Sequence, residues 1–451
     1  MSSISHCRPL RYVHDDDGVY LGRTVTGDAT SGAERSTLVL GPSRSGKTSS
    51  IIVPNLLLTM RSVVTTSTKD DVLRTVAERR TDGATLVFDP SGMVTLPRGV
   101  QRVGYSPLRQ AESWDGAVLA TRTLTDVARR ARSESADDHW TERAGALVAP
   151  LLHAASLEGA SLGQAAAQLD RRDPQRAVAI LNERYGAEHP STALLGGVLQ
   201  TDARELSGIW STASGLFAGL RTEAARAASR DPALDLDEFL RGPNQLHIVS
   251  PSRVQSVSTP LVVGALDEII HATYQRHDHG ARLLLALDEL ANVAPLPRLA
   301  SIVSEGGGQG VVTVACLQDL SQARTRWGSA AAGFLSLFPT TVVLPGIADR
   351  DTLELISRLS GRVHVPNQSR HSGRGRASTV STTWVERERL GVAEVATGRP
   401  GFALGLRADK SLGWIRLTPA HTDARWRTTA TARESLYRTR DHSSRPMSRE
   451  R

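Results

Sequence analysis

The chain is 451 residues long, 40% hydrophobic and 22% charged, a composition that excludes a disordered protein and gives about two to four domains with ample core. Only Cys7 and Cys316 are present, so neither a disulfide framework nor a zinc site is available, and no apolar run approaches the roughly 20 residues that span a bilayer. A net charge of +7 favours an anionic partner such as nucleic acid, with a plain basic surface as the bland alternative.

Residues 1–35 read as a polar N-terminal extension holding one short strand at Val19-Tyr20-Leu21. With Asp15-Asp16-Asp17 and no apolar block, they carry no secretion signal, so a cytoplasmic protein is expected. The first part of a nucleotide-binding domain follows at 36–114. A strand at 38–40 runs into Gly41-Pro42-Ser43-Arg44-Ser45-Gly46-Lys47-Thr48, a glycine-rich loop opening a helix, where backbone N–H groups and the positive helix end can wrap a polyphosphate. In that pattern Lys47 reaches the β- and γ-phosphates and the Thr48 hydroxyl holds Mg²⁺. A strand at 62–66, a helix at 71–80 and a strand at 85–88 ending in Asp89-Pro90 alternate as βαβ units do. That predicts an α/β fold with a mainly parallel sheet and helices on both faces.

Between 115 and 232 the texture changes to Ala, Leu, Arg and Glu with apolar residues three and four apart, as at Leu147, Leu151, Leu152 and Ala155. This predicts an all-α inserted domain. Arg129-Arg130-Ala131-Arg132 near its start has a plain surface reading. The nucleotide-binding domain resumes over 233–424, with a strand at 245–249, a helix at 261–274 and a strand at 283–287. That last strand ends in Asp288-Glu289, two carboxylates at a strand tip, where open α/β sheets bind ligands. Asp288 is expected to hold Mg²⁺ and Glu289 to polarise the attacking water, although solvated acids also end many strands.

A helix at 296–304, a strand at 311–315 closed by Cys316, and a strand at 340–344 complete the pattern. Gln318 would lie beside the acidic tip, to sense the γ-phosphate or orient water, or simply end a strand. Arg324 and Arg326 follow it and could serve a neighbouring subunit as an arginine finger, or face solvent. Residues 368–376 read as a flexible Gly/Ser/Arg loop. Residues 425–451, with eight arginines against three acids, read as a basic disordered tail. Either could track a phosphate backbone.

The segments GPSRSGKTSSIIVPNLL, SVVTTSTKDDVLRTVAERR, GATLVFDPSG with YSPL after it, and LALDELANVAPLPRLASIVSEGGGQGVVTVACLQDLSQ, in this order, resemble the type IV coupling proteins of conjugative DNA transfer over roughly residues 20–420. The resemblance implies a RecA-like P-loop ATPase domain interrupted by an all-α domain. It also implies ATP and Mg²⁺ as cofactors and a homo-hexameric ring. Such a ring links relaxase-bound DNA, single-stranded DNA favoured, to the components of a type IV secretion channel. The matching positions put Lys47 and Thr48 on nucleotide, Asp288 and Glu289 on Mg²⁺ and water, and Gln318 at the third ATPase motif. Two departures stand out. There is no transmembrane segment, so membrane attachment would come through a partner, and the loop Gly306-Gly307-Gly308-Gln309-Gly310 lacks the basic residue some relatives place there. A ring motor on duplex DNA, a protein-export ATPase and a non-catalytic recruiting module are the alternatives; the Glu289 carboxylate speaks against the last.

Overall fold

The computed structural model describes residues 18–428 apart from 26, 81, 132–137, 231, 372–378 and 410. Its centre is a twelve-stranded sheet. Eight strands are parallel throughout: in spatial order β10 (Thr340–Val343), β3 (Thr37–Leu40), β9 (Val311–Leu317), β8 (Leu283–Leu287), β4 (Ser62–Ser67), β7 (Gln245–Val249), β5 (Thr85–Phe88) and β6 (Val100–Arg102). Their near-continuous Val, Leu and Thr content suits strands covered on both faces. In β3, Leu38 and Leu40 enter one core while Val39 enters the other, and all three are fully buried.

The chain leaves the sheet after β6 and returns at β7. In between, helices run from Trp114–Ala131 through Glu223–Ala228. Leu147, Leu151, Leu152 and Ala155 are buried on the helix Asp138–Leu157, as their spacing predicts, and share a core with Leu38 and Leu40 of the sheet. The helix starts are fixed locally: Ser161 and Gln164 form a capping box, and Asp202 caps the helix Ala203–Leu216, as short polar side chains do for orphan N–H groups. Arg129 is engaged by Asp138 at 3.1 Å.

Several expectations are corrected. The N-terminal lead-in forms two strands, β1 (Tyr20–Thr24) and β2 (Gly27–Thr30), and both join the main sheet antiparallel through β14 (Leu412–Arg416) and β13 (Phe402–Arg407). Asn55 pins this extension by accepting from the Tyr20 N–H and donating to the Tyr20 carbonyl, both at 2.8 Å. The helix expected at 296–304 begins later, as Leu299–Glu305, because Pro295 and Pro297 bias the preceding residues away from helix. The helix expected at 261–274 is longer, Gln255–Arg276. Residues 368–371 of the expected loop belong to β11 (Arg362–His371), which pairs with β12 (Thr379–Glu388) as a separate two-stranded sheet; residues 372–378 lie outside the described set.

Nor does the chain become a tail at 425. Arg425 and Trp426 are buried, and the Arg425 Nη1 meets both oxygens of Asp28, at 3.0 and 3.2 Å. The Arg425 guanidinium lies 3.9 Å from the Trp426 ring centroid and 5.0 Å from that of Tyr20, a geometry that favours a cation over an aromatic face. Burial pushes the Tyr20 hydroxyl up to about 12. Residues 429–451, and Cys7, fall outside the described residues, while Cys316 is fully buried in β9 and burial pushes its thiol well above the usual range.

His247 sits inside β7, and burial, with the Arg80 guanidinium second, pulls its imidazole down to about 3 from an ordinary 6.5. A depressed folded-state value means that the unfolded chain binds the proton first. Stability present above pH 6.5 is therefore lost progressively as pH falls toward 3. Urea unfolding should show on the order of 2.5 kcal/mol less stability at pH 4.5 than at pH 7 from this residue alone. His247→Gln should remove that share; an unchanged acid profile in the variant would disprove the assignment.

Candidate active site

The loop 41–48 connects β3 to a helix that starts unusually. Thr48–Ile52 is a π-helix, with the Val53 N–H reaching back to the Thr48 carbonyl, before α-helix Val53–Leu58 takes over. Pro54 lacks the N–H that an α-helical turn would use here, and a widened turn accommodates it. Arg44 and Gly46 have φ of 64° and 96°, the left-handed turns that aim successive N–H groups inward as an anion-binding nest. At Gly41 an added Cβ would come within 2.8 Å of the Leu344 Cβ and the Ser45 Oγ, so the loop closes only around glycine.

Lys47 is 6% exposed, and its ammonium donates to the carbonyls of Gly41 and Pro42, the latter at 2.9 Å. It has no ion pair among the described residues. A buried cation held by carbonyl oxygens alone is poised for an anion. Beside it the Thr48 hydroxyl donates to Asp288 Oδ2 at 2.6 Å, and the Ser45 hydroxyl is buried without a partner.

Asp288 follows β8, and the Thr66 hydroxyl of neighbouring β4 holds its carbonyl at 2.9 Å. Burial pushes its carboxyl up to about 6, helped by Glu289 and opposed by the Thr48 hydrogen bond and Lys47. A carboxylate that is costly to ionise, next to a hydroxyl, is a hard-oxygen pair suited to Mg²⁺, which would favour its charged form. Glu289 has φ 58° and ψ 43°, uncommon for a residue with a side chain and a form of backbone strain concentrated at functional sites.

Lys47, Thr48, Asp288 and Glu289 line one cavity of about 530 Å³, together with Ser43, Arg44, Ser45 and Gly46. Gln318 reaches this loop too, donating through Nε2 to the Ser43 hydroxyl at 3.3 Å. The two arginines are not brought to it. Arg324 is held by Asp349 at 2.9 and 3.0 Å, and Arg326 lines a separate groove.

Other lining residues escaped the sequence reading. Lys69, Asp71, Arg79, Ala420 and His421 are among the other residues of the cavity wall. Ala420 arrives from the far end of the chain: its N–H donates to the Ser49 carbonyl at 2.7 Å, and its carbonyl accepts from Arg79 at 2.8 Å. The STKDD run was a signal for Lys69 and Asp71; nothing local marks Ala420 or His421.

No curated protein matches the chain. Among solved structures, the unbound bacterial conjugative coupling protein TrwBdeltaN70 superposes with a TM-score of 0.67 at 18% identity, covering 89% of this chain and 88% of that one. TrwB with a non-hydrolysable ATP analogue gives 0.66 at 18% identity over 88% and 89%. TrwB with ADP and Mg²⁺ gives 0.63 at 18% identity over the same shares. At this identity the likeness establishes a shared fold. The sequence itself matches the family described as Type IV secretory system Conjugative DNA transfer over residues 6–394, and it is to this family of conjugative DNA-transfer proteins that the chain belongs.

Proposed function

We propose that this protein is an ATP-hydrolysing motor that moves DNA, handing a relaxase-bound single strand to a type IV secretion channel. The observation that carries the reading is the buried Lys47 ammonium, ion-paired with nothing described, beside the Thr48–Asp288 pair in a chain of the conjugative family. The TrwB structures with an ATP analogue and with ADP and Mg²⁺ support the same ligands for this site.

In the proposed reaction the N–H groups of the loop and Lys47 hold the terminal phosphates. Thr48 and Asp288 would hold Mg²⁺ through their side-chain oxygens, and the ion would supply charge neutralisation for the phosphates. Glu289 accepts a proton from water as the water oxygen bonds to the γ-phosphorus and the bond to the bridging oxygen breaks. Gln318, already on Ser43, orients that water or senses the phosphate. Assembly into a homo-hexamer would provide charge from a neighbour, a contribution of about 10³ to 10⁵ in rate where it has been dissected. Among the described residues no helix is long and apolar enough to cross a membrane.

Phosphate release from ATP, measured with single-stranded DNA, duplex DNA or neither, tests this. Single strands should stimulate turnover several-fold, and Lys47→Ala should remove at least about a hundredfold of it. Equal stimulation by duplex would indicate a double-strand motor. Hydrolysis indifferent to both would eliminate a DNA motor in favour of a protein-export or recruiting role.

A further inference from the structure

Glu289 and Asn292 form a hydrogen-bonded pair that joins two cavities. Glu289 lines the nucleotide cavity. Asn292, one helical turn on, donates from Nδ2 to Glu289 Oε2 at 3.0 Å and lines a second cavity of about 550 Å³, between the helix Trp114–Ala131 of the insertion and the first turns of the helix Gln255–Arg276. The polar part of that groove is Ser252, Gln255, Ser256, Thr259, Asn292 and Arg326, and no carboxylate lines it. The Arg326 side chain has no hydrogen bond or ion pair among the described residues, in contrast to that of Arg324 two positions earlier.

Taking the DNA-motor reading as its basis, we propose that this groove binds a nucleic-acid phosphodiester and that Asn292 is a positioning residue that restrains Glu289 until the groove is filled. The chemistry of the lining selects the ligand. A guanidinium, hydroxyls and amides without a competing carboxylate suit an anionic oxygen, and Leu124 and Val127 offer an apolar wall against which a base can rest. The volume lies in the range of ordinary ligand sites. The relay follows from competition for one donor. A phosphate oxygen in the groove accepts from the Asn292 amide in place of Glu289. That frees a carboxylate oxygen which must come within hydrogen-bond reach of the attacking water. Glu289 is poised for such a change, because its left-handed backbone is a strained position at the start of helix Leu290–Val293.

The test measures kcat and KM for ATP, with and without oligo(dT), in the full chain carrying Asn292→Ala, Asn292→Gln, Ser256→Glu or Arg326→Ala, alongside direct binding of labelled oligo(dT). Asn292→Ala should raise the DNA-free kcat several-fold toward the stimulated value, leave KM within about twofold, and bring the stimulation ratio close to one; Asn292→Gln, with an amide that still reaches, should restore most of the restraint. Ser256→Glu, which places a carboxylate on an exposed position of the groove, and Arg326→Ala should each weaken oligo(dT) binding about tenfold. An unchanged stimulation ratio in Asn292→Ala, or an equal fall of kcat with and without DNA, would overturn the relay. Undiminished oligo(dT) binding in both groove variants would overturn the phosphodiester assignment and leave a protein as the occupant. If wild-type hydrolysis ignores DNA altogether, the motor reading fails and this inference with it; a normal wild-type response with insensitive variants removes this inference alone.

Discussion

Replacing Glu289 with Gln is expected to lower steady-state ATP turnover by roughly 10²- to 10⁴-fold, the range supplied by a positioned general base. Binding of a non-hydrolysable ATP analogue should change by less than about twofold. The substitution keeps the size of a side chain that lines the nucleotide cavity and removes only its capacity to take a proton. Lys47→Ala should behave differently, since it removes the buried ammonium that the loop carbonyls hold ready, and so should weaken binding as well. Calorimetric titration of the analogue beside phosphate-release kinetics separates the two. Parallel loss of binding and turnover in Glu289→Gln would reduce Glu289 to a structural residue, and retained turnover would mean that another group accepts the proton.

The second large effect lies far from the phosphates in sequence. Asp28→Ala is expected to destabilise the fold by about 3–5 kcal/mol, the range seen when one member of a buried ion pair is removed. Asp28 is 1% and Arg425 9% exposed, so the guanidinium loses its carboxylate in a place that water reaches poorly. Removing both charges, with Asp28→Ala and Arg425→Leu together, should recover a large part of the loss, because a paired apolar replacement leaves no stranded charge. The same variant should weaken ATP binding, since the segment tied down by Arg425 carries Ala420 and His421 to the cavity. Urea unfolding of the two single variants and the double variant reads the energies. A single-variant loss under about 1 kcal/mol would show that the pair is an incidental contact.

What was legible in the sequence is what local chemistry dictates. The spacing of Gly41, Gly46, Lys47 and Thr48 requires a tight turn before a helix, and apolar residues 283–287 ending in Asp288-Glu289 require a buried strand with acids at its tip. The fold brings those residues together in one cavity. The helical insertion was equally readable, because its period of three and four is a property of each segment alone. Contacts between distant segments were not. Asn55 on Tyr20, Arg425 on Asp28 and Ala420 on Ser49 join positions whose neighbours in sequence say nothing about one another. The strands β13 and β14 were missed because short mixed runs such as Leu412–Arg416, with Gly413 in the middle, carry little periodic signal. The ion pair of Arg324 with Asp349 is likewise a tertiary fact that a basic helix face does not announce.

The strand order also fixes a timetable. β3, which leads into the phosphate loop, lies between β9 and β10, and both are synthesised only after the entire helical insertion has left the ribosome. The β1–β2 hairpin waits longer still to join the sheet, since the β14 partner of Arg23 is Arg416. A nascent chain thus carries a complete set of locally paired helices while the strand bearing the loop has neither neighbour. Topologies with such distant pairings fold slowly and expose strand edges in the meantime. In this protein the exposed edge is the one that later carries the loop for nucleotide, so ATP can reward folding only at its last stage, and chains cut short before β14 would be marked by a β1–β2 hairpin with no strand to join it to the sheet.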